Sequence, residues 1–478
     1  MKFSKLTTAL LSSCLALSIV YTPVASAADS VPAATESELI QEVMDIVEAY
    51  NLTEVDKSAL IRAAIDGMVN SLDDPYSQYF DKEETEEFMH QVDLEYVGIG
   101  IKMQYIGKEL YIEEVLPSSP AEKAGLKRGD TIVKINGVPL NDLIGDELAG
   151  TAGTKVTLLV QRNGVTKSFS VIRKDIATSS VTGKMMGSKI AYITISGFSA
   201  SSDEEFAAVL KKMREAGMKS MVLDLRDNLG GYMDAALNIA SQFIDKGIMM
   251  YTSDQSGVLT PVVITEGSKI NVPVVVLTNE FTASASEALT GALRDNKLAT
   301  IVGTRSFGKA RIQSLLPISN GDSLKLTTAL YLTPNKEDFN HIGLSPDLEV
   351  QGKTAQLITA FQVAGMTTLE ASGDNHILNI NGTPFTGNVG LIKRGNSIYA
   401  SSRVLAAMVQ SEVSWDFKNK KVLITNGAGK TVGFTMSTKE AISQNDETYI
   451  RLDSFSKKLP ALVWSYNASQ NQLKLSVK

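Results

Sequence analysis

Apolar residues recur along the chain with periods that change from one region to the next. Spacings of three and four residues predict helices over Glu36 to Tyr50 and over Lys57 to Leu72. From about Tyr96 short apolar strands alternate with glycine turns, which is typical of a small β domain. From Lys189 apolar strands alternate with helical segments, and this alternation predicts an α/β domain with a largely parallel sheet.

The α/β region contains the elements that the pattern defines most clearly. Strands are predicted at Ile190 to Ile195, Met221 to Leu225, Val274 to Leu277 and Thr300 to Val302, and helices at Ser202 to Ala216, Gly231 to Ile244 and Ser284 to Asn296. In a parallel sheet the loops beyond the carboxyl ends of the strands carry the functional site. Two loops are therefore candidates, Arg226 to Gly231 and Thr278 to Ala283.

The C-terminal region contains an internal repeat. Ser397 to Arg403 and Thr448 to Ser454 are similar, and each precedes a helical segment, a tryptophan and a polar hairpin. We predict two copies of one small β-rich unit within residues 375–478. The two tryptophans, Trp415 and Trp464, are expected in the core rather than in a ligand site.

Length, charge and the N-terminus narrow the class of protein. A chain of 478 residues is too long for one typical core, and its net charge of -7 provides no basic surface for nucleic acid. Lys2 and Lys5, the apolar run from Leu6 to Val20 and the small residues Ala25 to Ala27 predict a signal peptide cleaved near Ala27. The alternative is a membrane anchor, but the run is short for a span. A secreted or extracytoplasmic protein is expected.

Thiol and metal chemistry are not expected. Cys14, the only cysteine, lies in the predicted signal peptide, where a lipoprotein processing site is the minor alternative. His90, His341 and His376 are far apart in sequence and lack the spacing of metal ligands. We therefore expect neither a metal nor a cofactor.

Ser284 is the candidate nucleophile, although its local sequence has a simpler explanation. Ser284 and Glu287 form a capping box, and on its own such a serine is best explained as an N-cap. Lys309 lies in a glycine-flanked turn after the next strand, where a lysine is ordinarily solvated. Because no histidine lies between them, contact between Ser284 and Lys309 would make a serine hydrolase whose base is an amine.

Residues 95–174 resemble a PDZ domain. The resemblance rests on Tyr96 to Ile101, on Pro117 to Leu126 as a short helix that ends at a glycine, and on Gly129 to Gly137 as a strand with an Asn-Gly turn. In that family the amides of the first loop hold the C-terminal carboxylate of a peptide, which adds to the sheet edge as a strand. The residues that match this substrate-binding loop are Val97, Gly98, Ile99 and Gly100.

A larger part of the chain resembles the carboxyl-terminal processing (tail-specific) serine proteases. The segments Asp224 to Gly231, Thr282 to Leu289 and Gly303 to Gln313 carry this resemblance. Leu72 to Ser77 and Gly343 to Asp347 also match, in the order of the family. The resemblance therefore covers most of the region between the first predicted helix and residue 350.

The resemblance implies a role for each site residue. It makes Ser284 the nucleophile, Lys309 the general base and Gln313 the residue that orients the lysine. Burial in an apolar site can keep a lysine amine neutral by lowering its pKa. For the oxyanion hole, a serine at a helix start is followed by a free backbone N–H, that of Ala285, and the resemblance adds Gly230 as the second donor.

Two further positions are left open. Ala310 stands where the family usually has glycine, so the conformation of the lysine turn is uncertain from sequence. Asp295 matches a family aspartate, but an ion pair with Arg294 or Lys297 explains it equally well.

The expected fold is a multidomain α/β and β architecture. Its parts are a signal peptide (1–27), an N-terminal helical region (28–93), a PDZ domain (94–176), an α/β serine protease core (177–370) and the C-terminal repeat domain (375–478). The repeat domain resembles the domain named after the N-terminal region of copper amine oxidase, an appendage of secreted proteins.

The expected function is that of a secreted serine endopeptidase with a Ser-Lys dyad, which recognises C-terminal tails through its PDZ domain. Its expected partners are protein or peptide substrates with free C-termini and not nucleic acid, while cell-wall association and homo-oligomer formation stay open. One alternative is a catalytically inactive PDZ scaffold. Another is a Ser-His-Asp hydrolase that uses His341, although the sequence has no G-x-S-x-G motif. The match of Ser454 and Lys457 to S-x-x-K is attributed to chance.

Overall fold

The computed structural model describes residues 36–106, 109–142 and 148–477. The predicted signal peptide and Cys14 lie outside this part of the chain. Within it, no helix combines the length and the apolar character needed to cross a bilayer.

The first compact unit ends at Met68 and is helical. It contains α1 (Glu36–Tyr50) and most of α2 (Lys57–Asn70). Lys57 Nζ lies 3.3 Å from Glu48 Oε2 and so joins the two helices.

The second compact unit, Val69–Lys478, begins with a short strand and a capped helix. These are β1 (Gln78–Phe80) and α3 (Lys82–Val92). Asp81 caps α3, because its Oδ1 accepts the Glu84 N–H at 2.8 Å while Glu84 Oε2 accepts the Asp81 N–H at 2.9 Å. Asp81 and Glu84 therefore form a capping box at the start of α3.

The next elements form a small β domain with its own core. They are β2 (Glu95–Gly98), β3 (Ile101–Ile106), β4 (Glu109–Val115), α4 (Pro120–Ala124), β5 (Thr131–Ile135), β6 (Val138–Pro139), β7 (Lys155–Arg162), β8 (Val165–Ile172) and β9 (Lys174–Ala177). The main sheet has the order β3-β4-β5-β7-β8, so β3 is an edge strand of the described sheet. Ser119 caps α4, and Gly125 ends it in the left-handed conformation.

The α/β core follows. Its elements are β10 (Val181–Met186), β11 (Ile190–Ile195), α5 (Ser202–Glu215), β12 (Ser220–Asp224), α6 (Met233–Ala240), β13 (Gly247–Ser253), β14 (Thr260–Ile264), β15 (Val274–Thr278), α7 (Ala285–Asp295), β16 (Thr300–Gly303), β17 (Arg311–Pro317), β18 (Ser323–Leu332), β19 (Leu348–Glu349) and α8 (Lys353–Val363). One sheet has the order β10-β11-β12-β15-β16-β19. Its pairings from β11 to β19 are parallel, and β10 is antiparallel to β11.

The core also contains a second, antiparallel sheet, which the sequence pattern does not predict. It has the order β1-β18-β13-β14, and β17 also pairs with β18. Its strands β17 and β18 are mostly half-buried and mix polar with apolar residues, so they lack the apolar runs that marked the parallel strands. This sheet is functionally relevant because it follows the Lys309 turn directly.

The C-terminal domain consists of short strands and two short helices. They are β20 (Glu370–Gly373), β21 (Leu378–Ile380), β22 (Thr383–Phe385), β23 (Ile392–Arg394), β24 (Ser397–Ser401), α9 (Ser402–Met408), β25 (Ser411–Asp416), β26 (Lys421–Asn426), β27 (Thr431–Thr435), β28 (Ala441–Gln444), β29 (Glu447–Arg451), α10 (Leu452–Lys458), β30 (Leu462–Asn467) and β31 (Gln472–Val477). The order β24-α9-β25-β26 recurs as β29-α10-β30-β31, and β24 pairs with β29. β20 pairs with β31, so residues from Glu370 onward belong to the sheet of this domain.

One hydrophobic core runs from the parallel sheet into the C-terminal domain. Tyr192 and Val222 of the sheet, Phe361 of α8, and Phe385 and Leu405 of the C-terminal domain belong to the same buried cluster. Trp415 and Trp464 pack against this cluster with partial exposure. The C-terminal domain is therefore a packed layer on the α/β core.

Candidate functional site

Ser284 lies at the junction between the loop after β15 and the start of α7. Its backbone has φ 57° and ψ -121°, a conformation that costs free energy in a residue other than glycine and that is common at functional sites. Only 9% of Ser284 is exposed. The strained turn thus holds one nearly buried hydroxyl at a helix N-terminus.

Hydrogen bonds hold the two candidate loops side by side. The Asn279 side chain accepts the Asp227 N–H at 2.9 Å and donates to the Asp227 carboxylate at 2.8 Å. The Ala283 N–H donates to the Asn228 carbonyl oxygen at 3.0 Å. The loops after β12 and β15 therefore form one wall of the site.

A buried ion pair anchors the first loop at its base. Arg226 donates to Asp224 at 2.9 and 2.6 Å, and the Tyr192 hydroxyl donates to the same carboxylate at 2.6 Å. Burial opposes ionisation of Asp224, but the Arg226 guanidinium outweighs it and lowers the pKa of Asp224. The carboxylate is therefore charged and holds Arg226 in place.

The two N–H groups predicted for the oxyanion hole differ in the structure. The Ala285 N–H has no acceptor within its helix, whereas the Gly230 N–H already donates to a side chain. Ala285 is the first residue of α7, so its N–H has no acceptor within the helix. At Gly230, whose φ is 106°, a Cβ would come within 2.8 Å of Ser284 Cβ and 3.1 Å of the Ala285 nitrogen, so only glycine fits. The Gly230 N–H, however, donates to Asn228 Oδ1 at 2.9 Å. Gly230 could serve an oxyanion only by sharing or releasing that bond.

A single buried carboxylate, Glu287, links the serine to the lysine turn. Its Oε2 accepts the N–H groups of Ser284 at 2.9 Å and Lys309 at 2.8 Å. Its Oε1 accepts the Gly308 N–H at 2.7 Å and the Ser306 hydroxyl at 2.5 Å. Burial raises the pKa of Glu287, and these four donors oppose that rise. The sequence indicated a capping residue here, but not that it also binds the next turn.

Tyr331 makes a second bridge between the serine and the lysine. Its buried hydroxyl lies 2.9 Å from the Ser284 carbonyl oxygen and 2.7 Å from that of Lys309, and its one proton is shared between them. No sequence motif indicated this residue. Tyr331 reaches both carbonyl oxygens from β18, a strand that the sequence pattern did not predict.

The Lys309 amine lies in an environment that favours its neutral form. Burial lowers the pKa of Lys309, the charge of Lys325 lowers it further, and Asp74 and Glu287 oppose both effects. Its Nζ lies 4.9 Å from the centre of the Tyr76 ring. Tyr76 and Asp74 belong to the Leu72 to Ser77 motif, so that motif is part of the site.

Gln313 lines the same cavity as Lys309. Its Nε2 donates to Thr327 Oγ1 at 3.1 Å across the β17–β18 pair. A register irregularity falls between Ile312 and Gln313. The amide oxygen is the atom that would accept a hydrogen bond from the Lys309 amine, and the orienting role of Gln313 stays a prediction.

Ala310 fits the lysine turn without strain. It is fully buried in the core, and its φ is outside the left-handed region. The glycine that the turn requires is Gly308, whose φ is 93° and whose Cβ would lie 2.7 Å from the Gly343 nitrogen. Alanine in place of the family's usual glycine at position 310 is therefore compatible with the backbone and the packing of this turn.

The predicted catalytic residues share one cavity of about 650 Å³. Ser284, Lys309, Gln313 and Gly230 all line it. Much of the remaining lining is apolar and comes from α3, from the loop Arg226 to Gly231 and from the start of α6: Phe88, Met89, Val92, Leu229 and Met233. Such a cavity can hold a peptide segment beside the hydroxyl and exclude water from it.

The rival residues lie elsewhere. His341 is exposed and is not part of the cavity lining; its backbone N–H donates to the Gly308 carbonyl oxygen at 2.8 Å. Asp295 forms an ion pair with Arg294 at 2.9 Å and accepts the Asn335 N–H at 2.9 Å, which are structural contacts. Residues 36–106, 109–142 and 148–477 contain no cluster of acidic, histidine or cysteine side chains that could hold a metal ion.

The predicted peptide-binding residues, Val97 to Gly100, span the end of β2 and the link to the edge strand β3. Val97 and Gly98 pair with β9, whereas the Ile99 side chain is in the domain core and its carbonyl oxygen accepts the Ala121 N–H at 2.9 Å. At Gly100, with φ 80°, a Cβ would come within 2.4 Å of Ser119 Cβ. Packing against Ser119 therefore explains this glycine independently of any ligand.

Three family models match the chain. Residues 189–350 match peptidase family S41, residues 111–162 match the PDZ domain, and residues 20–84 match the N-terminal domain of the activating protease CtpB. These ranges contain the catalytic candidates, part of the small β domain and the first described helices.

Curated relatives agree with these family matches. The chain is 31% identical over 423 residues to a probable CtpA-like serine protease of Staphylococcus aureus strain N315, covering 86% of this chain and 83% of that protein. It is 31% identical over 416 residues to the Staphylococcus saprophyticus protein of the same description, covering 86% and 82%. The photosystem II D1 C-terminal processing protease is 26% identical with a TM-score of 0.47, covering 70% of this chain and 98% of that one.

Proposed function

The chain belongs to the CtpA-like serine proteases of peptidase family S41 and carries a PDZ domain; from this premise we propose that it cleaves peptide bonds with a Ser284–Lys309 dyad. In this proposal the PDZ domain recognises the free C-terminus of the substrate through the loop Val97 to Gly100 and the edge of β3. The substrate is then a protein or peptide whose tail is bound at one domain and cut at the next.

In the proposed reaction the neutral Lys309 amine takes the proton of the Ser284 hydroxyl while Oγ attacks the substrate carbonyl carbon. The carbonyl oxygen becomes an oxyanion, which the Ala285 N–H and the α7 dipole stabilise. The Lys309 ammonium then gives its proton to the leaving amine as the C–N bond breaks. Lys309 next takes a proton from water as the water oxygen attacks the acyl carbon. It returns that proton to Ser284 Oγ as the acyl C–O bond breaks, which releases the product and restores both residues.

The observation that carries this proposal is the bridge made by Glu287. One carboxylate oxygen accepts the N–H groups of both Ser284 and Lys309, so the two residues are fixed to the same buried group. Their side chains line the same cavity. A pair held in this way is suited to a proton transfer that requires fixed geometry.

The location and the appendage belong to the same proposal. A chain that begins with the predicted signal peptide would act in the cell envelope or outside the cell. The C-terminal repeat domain, which resembles the copper amine oxidase N-terminal domain, would then face the cell wall or the substrate.

Hydrolysis of an unstructured protein with an apolar C-terminal tail tests the dyad. Ser284→Ala and Lys309→Ala should each reduce kcat by at least about a thousandfold, because each removes a reacting group. Ser256→Ala and Lys246→Ala, at exposed positions outside the cavity, should retain the wild-type rate. Wild-type rates in either dyad variant would refute the assignment. An inactive wild-type protein that still binds the tail would instead favour the PDZ scaffold.

A further inference from the structure

Lys325 places a second lysine in the active-site cavity. It lies in β18 and lines the cavity together with Ser284 and Lys309. Its Nζ lies 5.1 Å from the centre of the Phe80 ring and 5.0 Å from that of Phe88. Two aromatic faces therefore position the ammonium group by cation–π contact.

Among the described residues, no oxygen atom accepts a hydrogen bond from the Lys325 ammonium. Across the described part of the chain, no hydrogen bond or ion pair joins it to a protein oxygen. Asp74 is the carboxylate whose charge acts on it, but Asp74 accepts the Ser77 hydroxyl at 2.5 Å and the Tyr76 N–H at 3.2 Å. Burial lowers the pKa of Lys325 and Asp74 opposes this. A half-buried cation without an acceptor gains free energy when an anion binds.

The other charged groups at the cavity do not supply that anion. Asp227 is paired with Lys353 at 2.7 Å, and Glu287 is occupied by four donors. Arg311 also lines the cavity and adds positive charge. The cavity lining therefore has a surplus of positive charge.

We propose that Lys325 is a specificity-determining residue that binds a carboxylate of the substrate peptide in the cleavage groove. This proposal rests on the proposed function and deepens it by naming the substrate chemistry. The carboxylate is either an acidic side chain or the free C-terminus of a short peptide, since both offer the same charged acceptor.

Lys325 lies in the same cavity as the dyad, on its β17–β18 side. It is opposite Leu315 in the strand pair, and Leu315 also lines the cavity. Its charge reaches Lys309, whose pKa it lowers. The carboxylate that Lys325 binds therefore belongs to a residue near the bond that is cut.

A matched peptide series tests the proposal. Each peptide has one Glu or Gln at a single position on either side of the scissile bond, and each is made with a free or an amidated C-terminus. The wild-type protein should prefer Glu over Gln at one position, or the free over the amidated terminus, by about tenfold in KM with kcat little changed. These two arms identify which carboxylate Lys325 binds.

Three variants assign the preference to Lys325. Lys325→Met keeps the aliphatic contact with the aromatic rings and should abolish the preference, whereas Lys325→Arg should retain it. Lys336→Met is the matched control, because Lys336 also lies over an aromatic ring, 4.8 Å from that of Tyr251, but outside the cavity. Thermal unfolding of each variant reports whether the fold is intact.

Binding of the same peptides to the Ser284→Ala variant separates this proposal from the dyad assignment. The carboxylate preference should appear in Kd measured by fluorescence anisotropy even when cleavage is abolished. Absence of a preference in the wild-type protein, or an equal preference in Lys325→Met, would overturn the proposal. Cleavage by Ser284→Ala with the Lys325-dependent preference intact would overturn the dyad alone.

Discussion

Glu287 is the residue on which the geometry of the site depends most. Each of its carboxylate oxygens accepts two donors, and together these come from the nucleophile turn and the lysine turn. A neutral amide of the same shape would direct its NH2 group at two of those donors, in either orientation. The negative charge is therefore needed for the contact, although burial raises the pKa of this carboxyl.

Glu287→Gln is expected to reduce kcat by about a hundredfold and to lower the free energy of unfolding by about 2 kcal/mol, because buried donors lose their acceptor. Steady-state kinetics and urea unfolding measure the two effects. Glu280→Gln is a control at an exposed carboxylate on the neighbouring loop, bonded to Thr304 at 3.0 Å. Unchanged kcat in Glu287→Gln would show that the bridge does not position the reacting residues.

At the scale of elements, the sequence predicted the parallel part of the core well. The strand at Ile190–Ile195 was predicted with its observed bounds. The helix predicted from Ser284 to Asn296 is one residue too long at each end, because these two residues are its caps. These elements have uniform burial, so their apolar pattern is unambiguous. The half-buried β17 and β18 mix polar and apolar residues, so their pairing depends on contacts that are distant in sequence.

The site was predictable only in part for the same reason. The motifs identified Ser284 and Lys309, which line one cavity. Tyr331 and Lys325 lie on β18 and were not identified. The bond from Gln313 Nε2 to Thr327 was not predicted either, because cross-strand pairing brings these two residues together.

The Lys309 turn allows a test of the one departure from the family pattern. Because Ala310 is buried and has ordinary backbone geometry, Ala310→Gly should lower the free energy of unfolding by about 1 kcal/mol through a lost methyl contact and a more flexible unfolded chain. Its kcat should stay within about twofold of wild type. Urea unfolding and steady-state kinetics check both values. A large rise in kcat would mean that alanine holds the turn in an impaired conformation.

At the scale of the whole molecule, the C-terminal domain contacts both preceding domains. Phe385 packs edge-on to the rings of Tyr192 and Phe361, and Lys184 Nζ lies 3.7 Å from its ring centre. Its carbonyl oxygen accepts a hydrogen bond from Arg128 of the small β domain. His376 stacks on Tyr111 of the same domain at 4.1 Å. The three domains therefore meet at one junction.

Phe385→Ala tests the importance of that junction. Loss of a buried aromatic ring should reduce the free energy of unfolding by about 3–5 kcal/mol, measured by urea denaturation. Phe417→Ala is the matched control, since Phe417 is 84% exposed and its loss should cost well under about 1 kcal/mol. Equal stabilities of the two variants would show that the C-terminal domain is an independent appendage.

The most direct test of the central claim is the rate at which a fluorophosphonate labels Ser284 as a function of pH. Since only the neutral amine is a base, labelling should increase as pH rises through the pKa of Lys309, which lies below the ordinary lysine value of about 10.4. Peptide mapping should place the label on Ser284, and Lys309→Ala should lose the labelling. Equal labelling of Lys309→Ala, or a label on another serine, would contradict the Ser284–Lys309 dyad.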